Sequence, residues 1–572
     1  MAIYVSGGKI VKRGGGVHSS GGGSSAITPS LSLTRTSGPV PLAFLTDATG
    51  TTCTGFSSDD NFRQLYYLFE VQQSGTTVTG TYANGLARYS QAGGPMCAFN
   101  ILTAGSYTVK LTVTKGIPWS APAVHELAYN YIVGDIVTNG GNTYTCATAH
   151  AASSGIVPGS HADWTLLQTG VVQTSTTQSV TVDDLTTAFP GTATVCINNA
   201  GTNDGLGPSG CLYASSVGTP ASNTCYLFKK GQSHADATVQ FGTSNIYFGS
   251  YGTGAQPQVD NINGAASNSL DTFPHTVVIN GIDMKRTAWN ESPKRITIYN
   301  CTLTRDAGTG NDALITISTD STSYYDSGSY SGNKALITWG IENFLFENTA
   351  HGVVSGGDPA NPDHPNITVM GYYMKSGIVA NDFDYADEFS LRMFGTAKCF
   401  VGHNTLGGHC KFDKGALKIH SSGNSLTYSD YVGTSGTHFP GGSVSAEGGM
   451  ASMQVVLADN VIGSTTSENT WMSGIGPQNI DGPCDSGPYG TIEFHKDFIF
   501  ERNAFYRGTI TSQDLHNLGA NFTTRGNTAP QGTFDGDNVH SGEYPAIDDS
   551  CGFDYGRRVM PNNCGSYYGQ LT

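Results

Sequence analysis

The sequence is poor in charged residues and lacks the patterns of membrane, coiled-coil and nucleic-acid-binding proteins. Only 13% of its 572 residues are charged, about half the share of an ordinary globular protein. The net charge of −16 comes from scattered side chains with no basic patch, which argues against nucleic acid as a partner. No stretch approaches the roughly 18 apolar residues of a membrane span, so we expect no membrane insertion. Coiled-coil heptads are also absent.

The beginning of the sequence has no apolar run of the roughly 7–15 residues that mark a secretion signal. Twelve cysteines nevertheless indicate an oxidising destination, because several are close in sequence and no C-x-x-C motif suggests zinc. Buried free thiols are the alternative. The disulfide candidates are Cys53 with Cys97, Cys211 with Cys225, Cys399 with Cys410, and Cys551 with Cys564.

Glycine is abundant, with 75 residues, and helical patterns are hard to find, which is typical of a β-rich chain with many turns. A unit of apolar strand, polar residues, Asn and renewed apolar sequence recurs, as in VVINGIDM at 277–284, ITIYNCTL at 296–303 and FIFERNAFY at 498–506. The recurring residues are Asn280, Asn300, Asn348, Asn404, Asn460, Asn503 and Asn527.

This repeat predicts a parallel β-solenoid. Asn tolerates the left-handed backbone conformation of a sharp corner, and stacked Asn side chains can form hydrogen-bonded ladders. A β-sandwich whose hairpins carry Asn turns is the alternative. The solenoid is favoured because the Asn recurs at one place relative to the apolar pattern.

The first 116 residues divide into two parts. Residues 1–30 contain a strand-like segment and a Gly/Ser-rich stretch, which predict an anchor that docks by strand addition and a flexible linker; an unstructured tail is the alternative. Residues 31–116 contain PLAFLTDATGTT (41–52) and the alternating GSYTVKLTVTK (105–115). They resemble the polycystic-kidney-disease (PKD) type of immunoglobulin-like domain, although YLFEV (67–71) replaces its central motif. The resemblance implies a spacer.

Residues 119–168 contain YIVGDIVTNGGNTYTCATAH (131–150) and HADWTLL (161–167). This segment looks like the small chitin-binding-type carbohydrate modules. Aromatic rings bind sugars by stacking on their C–H faces, and Tyr131, Tyr144 and Trp164 are the candidate platform. The alternative is that these rings form the core of the small module, which has little else to bury.

Residues 171–572 are the large β region. NNAGTNDGLGPSG (198–210), YLFKKGQS (226–233) and IYFGSYGTGAQPQV (246–259) resemble the first turns of right-handed parallel β-helix proteins of the pectate-lyase-like kind. The predicted fold class is therefore all-β: a right-handed parallel β-helix preceded by an Ig-like β-sandwich and a small β module of carbohydrate-binding type. This fold does not fix an activity, because it carries lyases, hydrolases and inert adhesins.

The densest polar cluster lies at 381–395, followed by KFDKGALKIHSSG at 411–423. Asp384 and Asp387 are candidate acid, base or nucleophile of a glycoside hydrolase, and carboxylates there would also bind Ca²⁺. No cofactor is required. Lys418 and His420, two apart on a strand, are candidate bases of a lyase. Solvated loops and structural ion pairs are the alternative for this region.

Trp471, in WMSGIGPQN (471–479), is a further candidate for stacking on a sugar. Neighbouring Glu493 and His495 offer polar groups, and a loop packed across the solenoid is the alternative.

Three functions remain open. The favoured one is a virion-surface adhesin resembling a bacteriophage tailspike or fibre, which docks on other virion proteins through its N-terminus, binds host surface polysaccharide and forms a homotrimer. Glycan cleavage stays open within it. The alternative is a secreted modular polysaccharide lyase or glycoside hydrolase, and the third is a structural decoration fibre.

Overall fold

The computed structural model describes residues 26–264, apart from 83–84, 123–129, 132 and 241–242, and then a series of strands and corners between 276 and 528. It also describes two N-terminal strands, β1 (Ile3–Ser6) and β2 (Lys9–Lys12), which pair antiparallel. The described chain is predominantly β with extensive parallel pairing. Within the described residues, no helix has the length and apolarity needed to cross a membrane.

The N-terminal unit is built from two main sheets. The elements of this unit are β3 (Ile27–Thr28), β4 (Ser32–Leu33), β5 (Ser37–Pro39), β6 (Leu42–Asp47), β7 (Thr52–Cys53), α1 (Ser58–Gln64), β8 (Leu65–Gln73), β9 (Thr76–Thr77), β10 (Ser90–Gly93), β11 (Met96–Ile101), β12 (Gly105–Lys115) and β19 (Gln173–Asp183). The strand orders of the two sheets are β10-β8-β12-β19-β5 and β11-β6-β4. Strand β12 alternates as predicted, with Tyr107, Val109, Leu111 and Val113 buried.

A small module is inserted between β12 and β19, which are neighbours in one sheet. Its strands are β13 (Ile117–Pro118), β14 (Asn130–Tyr131), β15 (Ile136–Asn139), β16 (Asn142–Cys146), β17 (His150–Ala151) and β18 (Trp164–Gln168). After the module, β19 returns to pair antiparallel with β12 from Gly105 to Thr114. The predicted start of the last domain at residue 171 therefore differs from the structure, in which 173–183 complete the N-terminal unit.

The remaining described strands pair only in parallel, each mainly with strands one turn earlier and one turn later. A short helix, α2 (Leu185–Ala188), and a 3-10 turn (Gly191–Ala193) precede them. The first strands are β20 (Thr194–Ile197), β21 (Leu212–Ala214), β22 (Thr224–Lys229), β23 (Ser233–His234), β24 (Ala237–Val239), β25 (Ile246–Tyr251), β26 (Gln258–Gly264), β27 (Thr276–Asn280), β28 (Asp283–Trp289), β29 (Arg295–Tyr299), β30 (Thr302–Arg305) and β31 (Ile315–Ile317).

The later strands continue the same parallel ladders. They are β32 (Asn343–Glu347), β33 (Ala350–Val353), β34 (Ile367–Met370), β35 (Ser376–Val379), β36 (Asp382–Phe383), β37 (Phe389–Gly402), β38 (Thr405–Leu406), β39 (His409–Ser422), β40 (Ser425–Leu426), β41 (Tyr431–Val432), β42 (Met453–Ala458), β43 (Val461–Ile462), β44 (Lys496–Glu501), β45 (Ala504–Phe505) and β46 (Phe522–Arg525).

The predicted corners recur, but the left-handed residue is not always the Asn. It is Asn300 at one corner (φ 53°), but Asp459 and Arg502 (φ 58° and 55°) directly before Asn460 and Asn503. At the corner after β27, Gly281 (φ 68°) follows Asn280. Asp459 and Arg502 hold each other's corners, because the Arg502 guanidinium donates two hydrogen bonds to the Asp459 carboxylate, at 2.7 and 2.8 Å. Asn348, Asn404 and Asn527 lie outside the described residues.

The residue after each left-handed position is buried, and in the late turns it is an Asn. Asn503 Oδ1 accepts hydrogen bonds from the backbone N and the side-chain Nδ2 of Asn460, both at 3.0 Å. Asn460 and Asn503 are at most 1% exposed. This confirms the predicted side-chain ladder at this pair, and it satisfies amides that would be costly to bury alone.

The N-terminal unit packs along the parallel strands. Strands β6 and β11 are buried over their whole length, because one face covers the core of their own unit and β32, β35, β37 and β39 lie against them. Helix α1, begun by a capping box between Ser57 and Asp60, adds Phe62 to a buried cluster with Val456, Ala458 and Ile499. This large contact is not expected of a spacer domain.

Substitution of Asn503 by Ala should lower the free energy of unfolding by about 1–3 kcal/mol, because it removes the acceptor of two buried hydrogen bonds from Asn460. Urea unfolding followed by tryptophan fluorescence measures this change. The control is Asn261→Ala, which removes an exposed bond to Asp236 and should cost little. Equal losses in the two variants would contradict a special role for the buried ladder.

Substitution of Phe62 by Ala should weaken the contact between the N-terminal unit and the parallel strands. Loss of a buried Phe typically costs about 3–5 kcal/mol, and here the lost contacts join two units. Differential scanning calorimetry should then resolve two unfolding transitions that lie closer together in the unmodified protein. Leu86→Ala, at an exposed position of the same unit, is the control. An unsplit transition at the original temperature would contradict the assigned interface.

Candidate functional site

A concave pocket of about 180 Å³ is lined by Leu185 of α2 and by residues of the first parallel strands and their corners. Three of its walls are apolar or aromatic and come from Leu185, Leu227 and Tyr247. The remaining lining is polar and comes from Lys230, Ser250, Gln256, Asn280, Gly281 and Asn300. The pocket thus combines one aromatic ring with hydroxyl, amide and ammonium groups.

Parallel pairing places the polar lining on successive turns. The register that pairs Phe248 with Ile279 and Asn280 with Tyr299 brings Ser250, Gly281 and Asn300 into one column. A side chain at Gly281 would begin 3.5 Å from Ser250 Oγ and 3.9 Å from Asn300 Nδ2. Glycine at this left-handed corner therefore keeps the floor of the pocket open between two polar side chains.

Two hydrogen bonds hold the amide side chains in place. Asn280 Nδ2 donates to the Tyr247 hydroxyl at 2.7 Å, and Gln256 Nε2 donates to the backbone oxygen of Asn300 at 3.0 Å. Burial raises the pKa of Tyr247, so its hydroxyl keeps its proton and can donate a hydrogen bond. Within the described part of the chain, no hydrogen bond is made to the side-chain oxygens of Asn280 and Gln256, which remain acceptors for a ligand.

Lys230 supplies the positive charge of the pocket, and no carboxylate is among the lining residues. The neighbouring Lys229 is already paired, because its ammonium lies 2.8 Å from Asp204 Oδ2. The hydrogen bond from Lys229 is the main reason that the pKa of Asp204 is lowered. A site with one cation, several neutral polar groups and no acid or base pair can bind a ligand but lacks the carboxylates of a glycosidase.

The segment 198–210, here named the capping loop, is bonded to the first parallel strands through Tyr251 and Lys229. Asn198 Nδ2 donates to the Tyr251 hydroxyl at 3.1 Å, and that hydroxyl donates to Asp204 Oδ2 at 3.3 Å. The three motifs that resemble a β-helix beginning therefore meet in one hydrogen-bonded group. Their glycines serve turns: Gly231 (φ 73°) and Gly254 (φ 121°) lie side by side.

The predicted sugar-stacking rings of the small module lie largely inside it. Trp164 is 5% exposed and Tyr144 9% exposed, and Trp164 Nε1 donates to the backbone oxygen of Ile156. Tyr131 packs edge-on against Trp164 at 4.8 Å, and His150 contacts both rings. A buried ring has little face to offer a sugar, so this packing favours the alternative in which Trp164 and Tyr144 form the core of the module.

The predicted catalytic residues fall mostly outside the described residues, which do not include Asp384, Asp387 or Trp471. Lys418 and His420 lie on β39, where His420 is in register with Phe400 and Val456. Their catalytic role stays a prediction. Within the part of the chain that the structure describes, no three His, Cys, Asp or Glu residues are placed to hold a metal, and the acidic segment proposed for Ca²⁺ lies largely beyond that part.

The structure describes six of the eight cysteines that were predicted to form disulfides. Cys399 and Cys410 lie opposite Ile419 and Leu391 on neighbouring strands. The two cysteines therefore do not lie opposite each other in this ladder, and their disulfide stays a prediction. Cys53 and Cys97 are buried free thiols. The sulfur of Cys211 lies 3.0 Å from Cys196 rather than bonding to Cys225 as predicted. Cys551 and Cys564 lie outside the described residues.

Sequence reasoning missed the pocket as a site, although it singled out some of its parts. Asn280 and Asn300 were identified as corners, and Lys230 and Gln256 belong to the motifs of the first turns. The register of the parallel strands is the signal that links these residues. Residues about 20–50 positions apart can be assigned to one column only when the length of each turn is known.

The ion pair of the capping loop should make the loop sensitive to acid. Because the folded pKa of Asp204 is lowered, its contribution is fully present above the ordinary value of 3.8 and is lost as the pH falls through the lower folded value. Hydrogen exchange of residues 198–210, corrected for intrinsic rates, should therefore accelerate below about pH 4.

Asp204→Asn should remove this acid-dependent step, whereas Asp260→Asn, at an exposed aspartate paired with Lys285, should leave it intact. An unchanged pH profile in Asp204→Asn would show that another group controls the loop.

Comparisons with known proteins do not assign the chain to a family. No protein-family model matches it, and no curated protein matches it. Among solved structures, the Agl-KA catalytic domain is similar with a TM-score of 0.26 and 8% identity, over 90% of this chain and 95% of that chain. A TM-score this low carries no argument about the fold or the activity of the chain described here.

Proposed function

We propose that this protein is a glycan-binding adhesin and that the pocket at Lys230, Gln256 and Asn280 is one of its sugar subsites. The observation that carries the proposal is the composition of the pocket: amide, hydroxyl and ammonium groups beside one aromatic ring. Sugars present many hydroxyl groups around a compact ring with apolar C–H faces. Their recognition needs donors and acceptors in fixed positions together with an apolar or aromatic wall.

The size of the pocket supports a subsite for a single sugar unit. About 180 Å³ is well below the roughly 300–1,000 Å³ of pockets that enclose drug-sized ligands. A polysaccharide would therefore place one residue in the pocket and continue along the neighbouring parallel turns. We further propose that these turns form the right-handed parallel β-helix predicted from the sequence, with an Ig-like N-terminal unit packed on its side.

The proposed setting is the surface of a virus particle, where the protein would bind host polysaccharide as a homotrimer. The motivation is the N-terminal segment, in which the β1–β2 hairpin precedes the Gly/Ser-rich sequence up to residue 25. A short hairpin with open edges is suited to strand addition onto a neighbouring virion protein. Electron microscopy of assembled particles with an antibody to residues 31–116 would test this setting. Particles that the antibody does not label would contradict it.

A polysaccharide lyase or glycoside hydrolase is the second candidate. Its support is the acidic and basic sequence at 381–420, with Asp384, Asp387, Lys418 and His420 as the candidate groups, and Ca²⁺ as a candidate ligand of the carboxylates. No described feature of the pocket favours cleavage, because no carboxylate lines it. Binding and cleavage would then reside in different parts of the chain.

Lys230→Ala and Gln256→Ala should each weaken glycan binding about tenfold, since each removes a hydrogen-bonding group, charged in the case of Lys230. The probe is an array of immobilised bacterial surface polysaccharides, followed by titration of the best binder. The control is Lys285→Ala, which removes the same charge from a partly exposed site outside the pocket.

Equal binding by all three variants would reject the pocket as the subsite, and absence of binding to every polysaccharide would reject the adhesin function. Analysis of the same incubations for new reducing ends or unsaturated sugar products distinguishes an enzyme from a binding protein. Asp384→Asn and Asp387→Asn should abolish such products if the second candidate is correct.

A further inference from the structure

Two thiols meet beneath the capping loop at the beginning of the parallel strands. Cys196 lies in β20 and is fully buried, whereas Cys211 directly precedes β21 and is partly exposed. Their sulfur atoms are 3.0 Å apart, and both are free thiols in this structure.

The fold holds the two cysteines together from both sides. Parallel pairing places Cys196 beside Tyr213, two residues beyond Cys211, so the chain leaves β20, forms the capping loop and returns alongside its own start. Gly207 covers the sulfur atoms: a side chain there would begin 2.5 Å from Cys196 Sγ and 2.9 Å from Cys211 Sγ. Its backbone N–H donates to the Tyr213 hydroxyl at 3.2 Å.

Cys225, the partner that the sequence suggested for Cys211, has a different environment. It is fully buried in the same apolar cluster as Cys196, but it lies opposite Thr194 in the ladder. Burial raises the pKa of the Cys225 thiol to about 12, and a hydrogen bond with the Thr194 side chain lowers it by a smaller amount. Because an exchange reaction must begin at a thiol that a reagent can reach, partly exposed Cys211 is the accessible member and Cys196 is the sulfur beside it.

We propose that Cys196 and Cys211 form a disulfide that closes the capping loop when the protein meets a disulfide oxidant. The Cys211 thiolate attacks one sulfur of a small-molecule disulfide. This forms a mixed disulfide between Cys211 and that half of the molecule, and the other half leaves as the first small thiol. The Cys196 sulfur then attacks Cys211 Sγ and displaces the second small thiol. Two protein thiols and one external disulfide thus become one protein disulfide and two external thiols, so atoms and electrons balance.

The expected consequence is a fixed beginning for the parallel strands. The disulfide would join β20 to the residue before β21 and enclose the loop that carries Asp204 and Asn198. Loop closure restricts the open state of that segment, which would otherwise depend on the hydrogen bonds to Lys229 and Tyr251. This inference does not depend on the proposed glycan function.

Peptide mapping of the full-length protein tests the proposal. One sample is fully reduced, and the other is incubated with oxidised glutathione; both are alkylated and digested without further reduction. We expect a Cys196–Cys211 linked peptide only in the oxidised sample. Cleavage of the capping loop by a protease under native conditions should also be about tenfold slower after oxidation.

Two variants keep the test decisive if one substitution perturbs folding. Cys211→Ser should abolish both the linked peptide and the protection, whereas Cys225→Ala should retain both. The proposal is overturned if Cys211 remains open to alkylation after oxidation, if it is linked to Cys225, if glutathione stays attached to it, or if oxidation leaves loop cleavage unchanged.

Discussion

Parallel pairing between successive turns is the constraint on which the rest of this structure depends. It aligns each residue with residues of the turn before and the turn after, so a polar group at a buried position can find its partner in its own column. Asn460 and Asn503 satisfy this condition with hydrogen bonds of 3.0 Å. In the early turns, Ile282 and Cys301 occupy the position that matches Asn460 and Asn503, so this position has no buried amide that needs a partner. The same column therefore changes from apolar to amide along the molecule.

The N-terminal unit depends on the parallel strands and also supports them. Strands β6 and β11 are buried on both faces, and Gly94 lets the chain approach Val456 closely, since a side chain there would begin 2.7 Å from Val456 Cγ2. The module of strands β13–β18 lies between two neighbouring strands of this unit, so it cannot be cut out as a terminal domain. Removal of the first 116 residues would therefore expose an apolar face and break the sheet that β19 completes.

Much of this architecture could be predicted from local sequence, and the failures have a common cause. The alternation of β12 and the Asn ladder follow from short-range pattern, and both are present. The domain boundary predicted at 171 and the predicted pairing of Cys211 with Cys225 both assume that neighbours in sequence are neighbours in space. Strand β19 crosses the inserted module to reach β12, and Cys211 is brought to Cys196 by a parallel register.

The candidate site shows the same limit at the level of single side chains. Aromatic residues in the small module suggested a sugar platform, but a module of that size needs its large rings for its own core, and Trp164 is 5% exposed. The polar pocket arose instead from residues of several turns, none of which marks a binding site in its own motif. Because parallel pairing repeats each column from strand to strand, a pocket on these strands is built by register rather than by a motif, and the elongated polymer proposed as its ligand could follow such a surface from one strand to the next.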